Sequence, residues 1–505
     1  MPRGDWRWIV GGAVLLGAAY PPFHLFVPSF ICLVPAVWLL TTGAEDATPF
    51  RRHFAQGFWF GLFAHGCTLY WMVVALWHFT ALSGIAYGAT IVVLALYMGV
   101  VFALSGWLMQ RTGIGLVVIL PVLWTAADWV IAHHLDIRFP WLGLGTSLTG
   151  FPTVVQIADV VGARGITFLL VLTNVMLAQA FDRQGNRRHM FTKVGAVVGG
   201  LLIAVTYGVV RERTLPLRPV GTATLLQPNI GWSEKWEPSA LDSVFHRTLT
   251  LAQRAVRESE PDLVVWPEVA VPGYLKRRDG WRRSIAALAA TTRIPQVVGG
   301  LDLEWIDAAE DRYEYFNAAF VFDSLGRDAP QPVYHKRYLV PVTERVPFLD
   351  PRWFDLEFFG GFGAGEEGPI FETGMGRFGI LICFESAFEN LSRRYRAEGA
   401  GFLVNMTNDS WFGRTSAPYQ HAAHLVMRAI ETRAGIVRAA NSGISVFVDP
   451  LGHQHDRTTL FRETFVTGPV VTSDVIPPYV RLGDWVGALS LVVTVMLFGA
   501  AARRR

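Results

Sequence analysis

The strongest constraint on this chain is a series of long apolar runs separated by short loops that carry arginines. About 20 apolar residues of helix cross a bilayer core, and in lipid each backbone polar group must be satisfied inside the protein. Eight runs answer that description: 8–20, 23–40, 54–77, 81–109, 114–132, 166–181, 194–210 and 485–502. The first is short and is cut from the second by Pro21-Pro22. A cleaved signal peptide is the competing reading of that segment. Against it, a second apolar run follows at once, with no clean cleavage signal between them. Hydrophobic residues make up 51% of the chain and charged residues 17%, below the roughly 25% charged of soluble domains. Most of the charge falls between about Arg211 and Asp474. The expected organisation is therefore a seven-span bundle over 1–213, a soluble domain over 214–478, and a last span with a basic tail over 479–505.

Lysine and arginine in short loops set orientation. Arg3 and Arg7 precede the first run, Arg51 and Arg52 the third, and Arg111 follows the fourth. Arg183, Arg187, Arg188 and Lys193 lie between the sixth and seventh, and Arg503 to Arg505 end the chain. Eight crossings place all of them, and both termini, on the cytoplasmic side. The soluble domain and the loop over 133–164 then face outward. Arg211 and Arg213 sit on the wrong side for the rule, but long segments translocate regardless of charge. The outer loop reads FPWLGLG, with Phe139, Pro140 and Trp141. Interfacial anchoring and a share in a lipid-access wall are both open readings of it. Asp128, inside the fifth run, is a costly acid in a bilayer, with a functional or a hydrogen-bonded structural role.

In the soluble part, short β-rich runs alternate with helical stretches. Strands are expected at 222–226, 263–266, 296–298, 318–322, 378–382, 402–405 and 444–448, and helices at 239–258 and 419–433. That is a mixed, layered α/β domain. A Gly- and Phe-rich stretch between 350 and 369, FFGGFGAGEEG, reads equally as a lid or as an ordinary surface loop. The net charge of +3 is too small to imply nucleic acid. Three cysteines without a CxxC or Cys/His cluster indicate neither a disulfide framework nor a zinc site.

Three segments share one format, an apolar strand that ends in a reactive side chain. LVVWPE ends at Glu268, VYHKRYLVP carries Lys336, and FGILICFE delivers Cys383. Strand ends are where α/β folds place chemistry. A free thiol has a pKa near 8.5 and is mostly unreactive at neutral pH. A carboxylate can take its proton, and an ammonium can stabilise the thiolate and a tetrahedral oxyanion. Glu, Lys and Cys therefore suffice for acyl transfer through a thioester, with no metal and no cofactor. Taken singly, each has a plainer reading, as a core cysteine or a solvated charge.

The strings around these residues are distinctive. WPE, then HKRYLVPVTERVPF, then ICFES resemble the nitrilase or carbon–nitrogen hydrolase superfamily. The chain is similar throughout to its membrane-anchored branch, the apolipoprotein N-acyltransferases. QPNIGWSEKW, NMTNDSWFG, RAIETRAGIVRAANSGIS and PPYVRLGDW carry that similarity outside the three reactive strings. The resemblance implies an α/β/β/α sandwich beside the transmembrane bundle of about eight spans. It implies Glu268 as general base, Lys336 as stabilising lysine, Cys383 as nucleophile and Glu344 as a supporting glutamate. Trp236, Asn317, Phe384, Glu385 and Trp411 fall on positions around the family's pocket, and Phe384 stands where tyrosine is common, without its hydroxyl. Asn408, Asp409, Ser410 and Asn441 read as turn residues.

The reaction so implied takes an acyl chain from a phospholipid and passes it to the N-terminal diacylglyceryl-cysteine of a lipoprotein. That is the last step of bacterial lipoprotein maturation, at the inner membrane, with the domain on the periplasmic side. The expected partners are thus a phospholipid donor, a diacylated lipoprotein acceptor and the bilayer, with no nucleic acid and monomer as the default. A membrane-tethered amidase or nitrilase acting on a small amide shares the triad and is the rival enzyme. A binder of lipid or lipoprotein that keeps only the fold is the non-enzymatic rival.

Overall fold

A computed structural model describes residues 5–41, 49–78, 81–134, 137–181, 187–307, 312–328, 331–345 and 361–503. The chain divides into two compact units, Met1–Thr214 with Leu482–Arg505, and Leu215–Arg481.

Among the described residues of the helical unit, five helices are long and apolar enough to cross a membrane: Ser83–Thr112, Leu116–His133, Ala158–Ala180, Arg187–Thr214 and Trp485–Arg503. The pair Pro49–Thr68 and Trp71–Trp77, bent by 59°, makes a sixth if it is one span. This departs from the eight runs expected. The first run forms a helix of only 15 residues, Asp5–Ala19. The second breaks into Phe26–Ile31 and Val34–Thr41. Pro28 and Pro35 each remove a backbone donor there, which apolarity alone does not register. The expected loop over 133–164 is also shorter. The helix Ala158–Ala180 absorbs its end across a kink at Gly162 (φ 69°), and two 3-10 turns, Leu144–Leu148 and Pro152–Val155, fill its middle. Trp141 of the FPWLGLG string is 3% exposed and lies 5.3 Å from the Trp71 ring, so it packs inside the unit. By contrast, Val198, Leu202, Ile203 and Val210 of Arg187–Thr214 are exposed, an apolar face suited to lipid.

Among the described residues, Asp128, Asp159 and Asp484 of this unit have arginine partners. Arg164 donates to Asp484 at 2.6 Å and its Nε lies 3.9 Å from Asp128, which ties Leu116–His133, Ala158–Ala180 and the entry to Trp485–Arg503. Asp159, fully buried, accepts from Arg211 at 2.9 Å and from the Tyr207 hydroxyl at 2.7 Å. Asp128 is thus a partner in a structural ion-pair network.

The second unit holds twelve strands in two six-stranded sheets. The first sheet contains β1 (Arg218–Gln227), β2 (Leu263–Val265), β3 (Gln296–Asp307), β4 (Arg312–Phe322) and β5 (Tyr334–His335). The second contains β6 (Phe371–Thr373), β7 (Gly376–Ile382), β8 (Phe402–Thr407), β9 (Gly435–Ala440), β10 (Val446–Val448) and β11 (Gln454–His455); β12 (Thr464–Thr472) returns to the first. The orders are β12-β1-β2-β3-β4-β5 and β11-β10-β9-β8-β7-β6. Each sheet has a parallel centre, β1-β2-β3 or β7-β8-β9, flanked by antiparallel strands. The two sheets face each other through β1 and β12 against β8, β9 and β10. Leu241–Ser259 and Asp279–Thr292 cover the outer side of the first, and Glu389–Ala397 and Ala417–Thr432 cover that of the second. This is an α/β/β/α sandwich.

Leu241–Ser259 is amphipathic and buries Val244, Phe245, Thr248, Leu249, Ala252 and Val256 on one face. Phe245 stacks on Trp281 at 4.9 Å, over a core that includes Trp266. The seven expected strands all lie within or overlap observed ones, whereas β5, β6, β9, β11 and β12 and the helices Asp279–Thr292 and Glu389–Ala397 were not expected. β9 carries a buried arginine, Arg438, and β12 contains Gly468-Pro469, both atypical of strands. Proline is tolerated in β12 because it is an edge strand. Most of the stretch between 350 and 369, up to residue 360, lies outside the described residues. Its end is tied down, since the Gly363 N–H donates to the Tyr315 carbonyl of β4 at 2.7 Å.

Arg164→Ala leaves Asp128 and Asp484 without their shared cation. Removing one partner of a buried pair costs about 3–5 kcal/mol. The purified variant is expected to melt several degrees below wild type in detergent, and an unchanged melting temperature would show the network to be neutral.

Candidate active site

The three reactive segments follow the carboxyl ends of strands β2, β5 and β7, in the two sheets. β2 runs into the core through Trp266, fully buried, and Glu268 follows at its carboxyl end. Gly299 of β3 lets that loop lie flat on the sheet. A Cβ there would stand 2.2 Å from the Pro267 carbonyl and 3.0 Å from Glu268 Cα, so no larger residue fits. Lys336 follows β5, where its N–H donates to the Asn317 carbonyl of β4 at 2.8 Å. Cys383 follows β7 and opens a 3-10 turn, Cys383–Ala387, with φ of 53°. Left-handed backbone is uncommon away from glycine and is held only where its surroundings enforce it.

Glu268, Lys336, Glu344 and Asn317 meet directly. Lys336 Nζ donates to Glu344 Oε1 at 2.8 Å and reaches Glu268 Oε1 at 3.4 Å. Asn317 Nδ2 donates to the same two oxygens, at 2.8 Å to Glu268 and 3.2 Å to Glu344. The second oxygen of each carboxylate takes a backbone N–H. Asn408 donates to Glu268 Oε2 at 2.7 Å, and Val340 donates to Glu344 Oε2 at 2.8 Å. Lys336 is 1% exposed and Glu268 7%, so these bonds replace water that neither group can reach.

Electrostatics follows from that burial. Burial works to strip the proton from Lys336, but Glu344 and Glu268 outweigh it and hold the ammonium well above the usual lysine range. Burial, reinforced by the Glu268 charge, pushes the Cys383 thiol well up, while Lys336 opposes this only in part. The resting sulfur is therefore a protonated thiol that feels the charges of both Glu268 and Lys336. A base, a fixed cation and a thiol buried together can perform nucleophilic acyl transfer.

The remaining residues singled out from sequence lie around this cluster in different ways. Glu385, fully buried, accepts from Ile382 N–H at 2.6 Å, Arg337 N–H at 2.7 Å and the Tyr334 hydroxyl at 2.7 Å, which joins the turn that carries Cys383 to the segment that carries Lys336. Burial raises its pKa despite those donors. Phe384 is buried, edge-on to Phe388 at 5.0 Å. Trp411 stacks on Phe412 at 4.7 Å. Trp236 is 40% exposed, with its ring against Trp232. Asn441 Nδ2 bridges the Ile230 carbonyl and Asn408 Oδ1, behind the Asn408 N–H that serves Glu268.

Sequence reasoning missed Lys235, beside Trp236 in the turn Trp232–Trp236. It is 1% exposed, and its Nζ donates to the Glu268 main-chain carbonyl at 2.9 Å. A lysine flanked by Glu234 and Trp236 looks solvated in a string of letters, and only the fold reveals its burial. His421, considered below, was missed for the same reason. Among the described residues one group has metal-ligating types, Asp302, Glu304 and His335. The Lys276 ammonium already lies 2.8 Å from Asp302 there, so the group has its cation.

Burial lowers the Lys235 pKa to about 8, although Glu268 pulls the other way. Between about 8 and the ordinary lysine value the unfolded chain binds the extra proton, so stability rises with pH across that window. Below pH 8 the fold carries the cost of a buried charge. The melting temperature of Lys235→Met relative to wild type is expected to be most favourable below pH 8 and to fall as pH rises toward 10. A pH-independent difference would contradict the shift.

The carbon-nitrogen hydrolase family matches residues 222–477, and the apolipoprotein N-acyltransferase N-terminal domain matches residues 12–176. An apolipoprotein N-acyltransferase of Geobacter metallireducens is 33% identical, over 100% of this chain and 96% of its own length. One from Chlorobaculum tepidum is 28% identical, over 97% and 96%. Among solved structures, Saccharomyces cerevisiae Nit3, of the nitrilase superfamily, is 19% identical with a TM-score of 0.38, over 54% of this chain and 93% of that one. With its two matching domains and relatives alike from end to end, this chain belongs to the apolipoprotein N-acyltransferase family, the membrane-bound members of the carbon-nitrogen hydrolases.

Proposed function

We propose that this chain moves a fatty acyl group from a phospholipid to the α-amine of the N-terminal diacylglyceryl-cysteine of a lipoprotein. The carrying observation is the buried Glu268–Lys336 pair, whose charges bear on the Cys383 thiol, in a chain alike end to end to apolipoprotein N-acyltransferases. Glu268, Lys336 and Cys383 are read as the catalytic group, within a domain over 214–478.

Cys383 Sγ attacks the ester carbonyl as Glu268 takes the thiol proton. Because burial keeps the thiol protonated at rest, proton transfer and attack go together. Lys336 remains charged and stabilises the sulfur and the developing oxyanion. Collapse breaks the ester C–O bond, and the leaving lysophospholipid oxygen takes the proton from Glu268. In the second half, the neutral amine attacks the thioester carbonyl, Glu268 takes the amine proton, and the C–S bond breaks. The released sulfur recovers that proton. Glu344 and Asn317 hold Glu268 and Lys336 in register and are not consumed. A thioester lasts only where water is excluded, and the buried Phe384 and Trp411 are read as parts of that wall.

Both substrates are lipids, which supports a helical unit at each end of the domain in sequence. The loop arginines support cytoplasmic termini and an outward-facing domain in the bacterial inner membrane. Hydrolysis of a small soluble amide would use the same three residues, but it gives no reason for the helical unit.

Full-length protein supplied with phospholipid and a diacylated lipopeptide is expected to yield the N-acylated peptide and lysophospholipid in equal amounts. Cys383→Ala and Cys383→Ser should lower the rate by at least about 10³-fold while still accumulating in membranes. Retained N-acylation by a purified variant would sink the assignment. Labelled phospholipid alone should leave label on Cys383 that neutral hydroxylamine removes. Active enzyme that never holds such label would exclude the thioester route.

A further inference from the structure

Cys383 sits in a backbone conformation that it would not adopt unaided, with φ of 53°. Its surroundings must supply the enforcement, and its carbonyl oxygen is where they do so. Two side chains donate to that oxygen: Ser386 Oγ at 3.0 Å, from the same turn, and His421 Nε2 at 3.0 Å, from the helix Ala417–Thr432 on the outer side of the second sheet. A carbonyl only accepts, so His421 carries a hydrogen on Nε2 in either charge state.

Behind the imidazole lies a fully internal polar group. His421 Nδ1 is 3.0 Å from Asp409 Oδ1 and 3.0 Å from an Arg438 guanidinium nitrogen. That nitrogen also donates to Asp409 Oδ2 at 2.9 Å. The other arm of Arg438 donates to Asn405 Oδ1 at 2.6 Å, and Asn405 Nδ2 to the Leu381 carbonyl at 3.0 Å. Leu381, Asn405 and Arg438 are consecutive cross-strand partners on β7, β8 and β9. His421, Asn405 and Arg438 are 0% exposed and Asp409 is 1%. A hydrogen-bonded chain thus runs across the sheet from the strand that delivers Cys383, through the ion pair, and returns to the Cys383 carbonyl. Burial and the Arg438 charge lower the His421 pKa, while against burial the Arg438 charge holds the Asp409 carboxyl well below the usual carboxylate range. At neutral pH the pieces are a neutral imidazole and a buried carboxylate–guanidinium pair.

We propose that His421 is a positioning residue for the nucleophile: its Nε2–H grips the Cys383 carbonyl, while Arg438, anchored by Asp409, donates to the bare Nδ1 and so fixes the ring's plane and tautomer, and the left-handed backbone thereby aims Sγ at Glu268 and Lys336. The fold is shaped for this at a second point. A Cβ on Gly443 would stand 2.1 Å from Asp409 Oδ2, so the carboxylate occupies space that only glycine leaves open. None of these residues belongs to the Glu268–Lys336–Glu344 cluster, and the proposal rests on Cys383 being the nucleophile.

The test is the single-turnover rate at which labelled phospholipid acylates Cys383 in the full-length enzyme, measured with the donor KM and the melting temperature. A misplacement of about 1 Å can cost about 100-fold in rate. His421→Ala is expected to slow acylation by about that factor with little change in KM. His421→Gln, whose amide N–H can reach the same carbonyl, should recover at least about tenfold of the loss. Gly443→Ala, which leaves His421 in place but displaces Asp409, should fall between. A folded His421→Ala that acylates at the wild-type rate overturns the proposal. So does a folded His421→Gln no faster than His421→Ala, since packing alone would then explain the residue. If neither histidine variant accumulates, Gly443→Ala decides, and a wild-type rate there overturns it. Wild-type enzyme that turns over without label on Cys383 removes the nucleophile assignment itself, and with it this proposal.

Discussion

The site depends on one buried ammonium held between two carboxylates. Lys336 has almost no access to solvent, so its charge survives only because Glu344 and Glu268 stand within reach. Once that pair of acids is fixed, other features become necessary. Each carboxylate has one oxygen turned to Lys336 and Asn317 and the other to a backbone N–H, which leaves little of its hydrogen-bonding capacity unused. The loop that carries Glu268 and the one that supplies the Asn408 N–H must follow fixed paths; Gly299 leaves room for the first and Asn441 is bonded to the second. Burial, reinforced by the Glu268 charge, keeps the Cys383 thiol protonated at rest, and Lys336 only partly offsets it.

Much of this was legible in the sequence, for stated reasons. The reactive strings end apolar strands, and strand ends expose side chains in a sheet-based fold, so Glu268, Lys336 and Cys383 stand out before any coordinates are known. Asn317 and Glu344 came only through family resemblance, since neither has a local signature. Lys235, His421 and Arg438 were illegible because a charged letter reads as solvated, and burial of a charge is decided by long-range packing. Glu385 was placed near the pocket, but its work as a tie between two backbone segments depends on which N–H groups the fold leaves orphaned. The strands missed were short, or carried residues that strand propensity disfavours.

In the helical unit the apolar runs identified the membrane-like segments, yet overcounted long helices. Hydropathy averages over prolines, and two of the expected spans are short or broken. What averaging also hides is the pairing of the few charges. Asp128, Asp159 and Asp484 have arginine partners on other helices, or across the segment that enters one, so the polar residues in this unit mark contacts between helices.

Glu385 has a mechanical consequence for the catalytic unit. It is bonded at once to the end of β7 in one sheet and to the segment after β5 in the other. The β1 and β12 strands meanwhile lie against β8, β9 and β10. The sandwich is thus tied both at its middle and beside Cys383. On the proposed reading of Cys383, access for a fatty chain then falls to the connecting loops rather than to a parting of the two sheets.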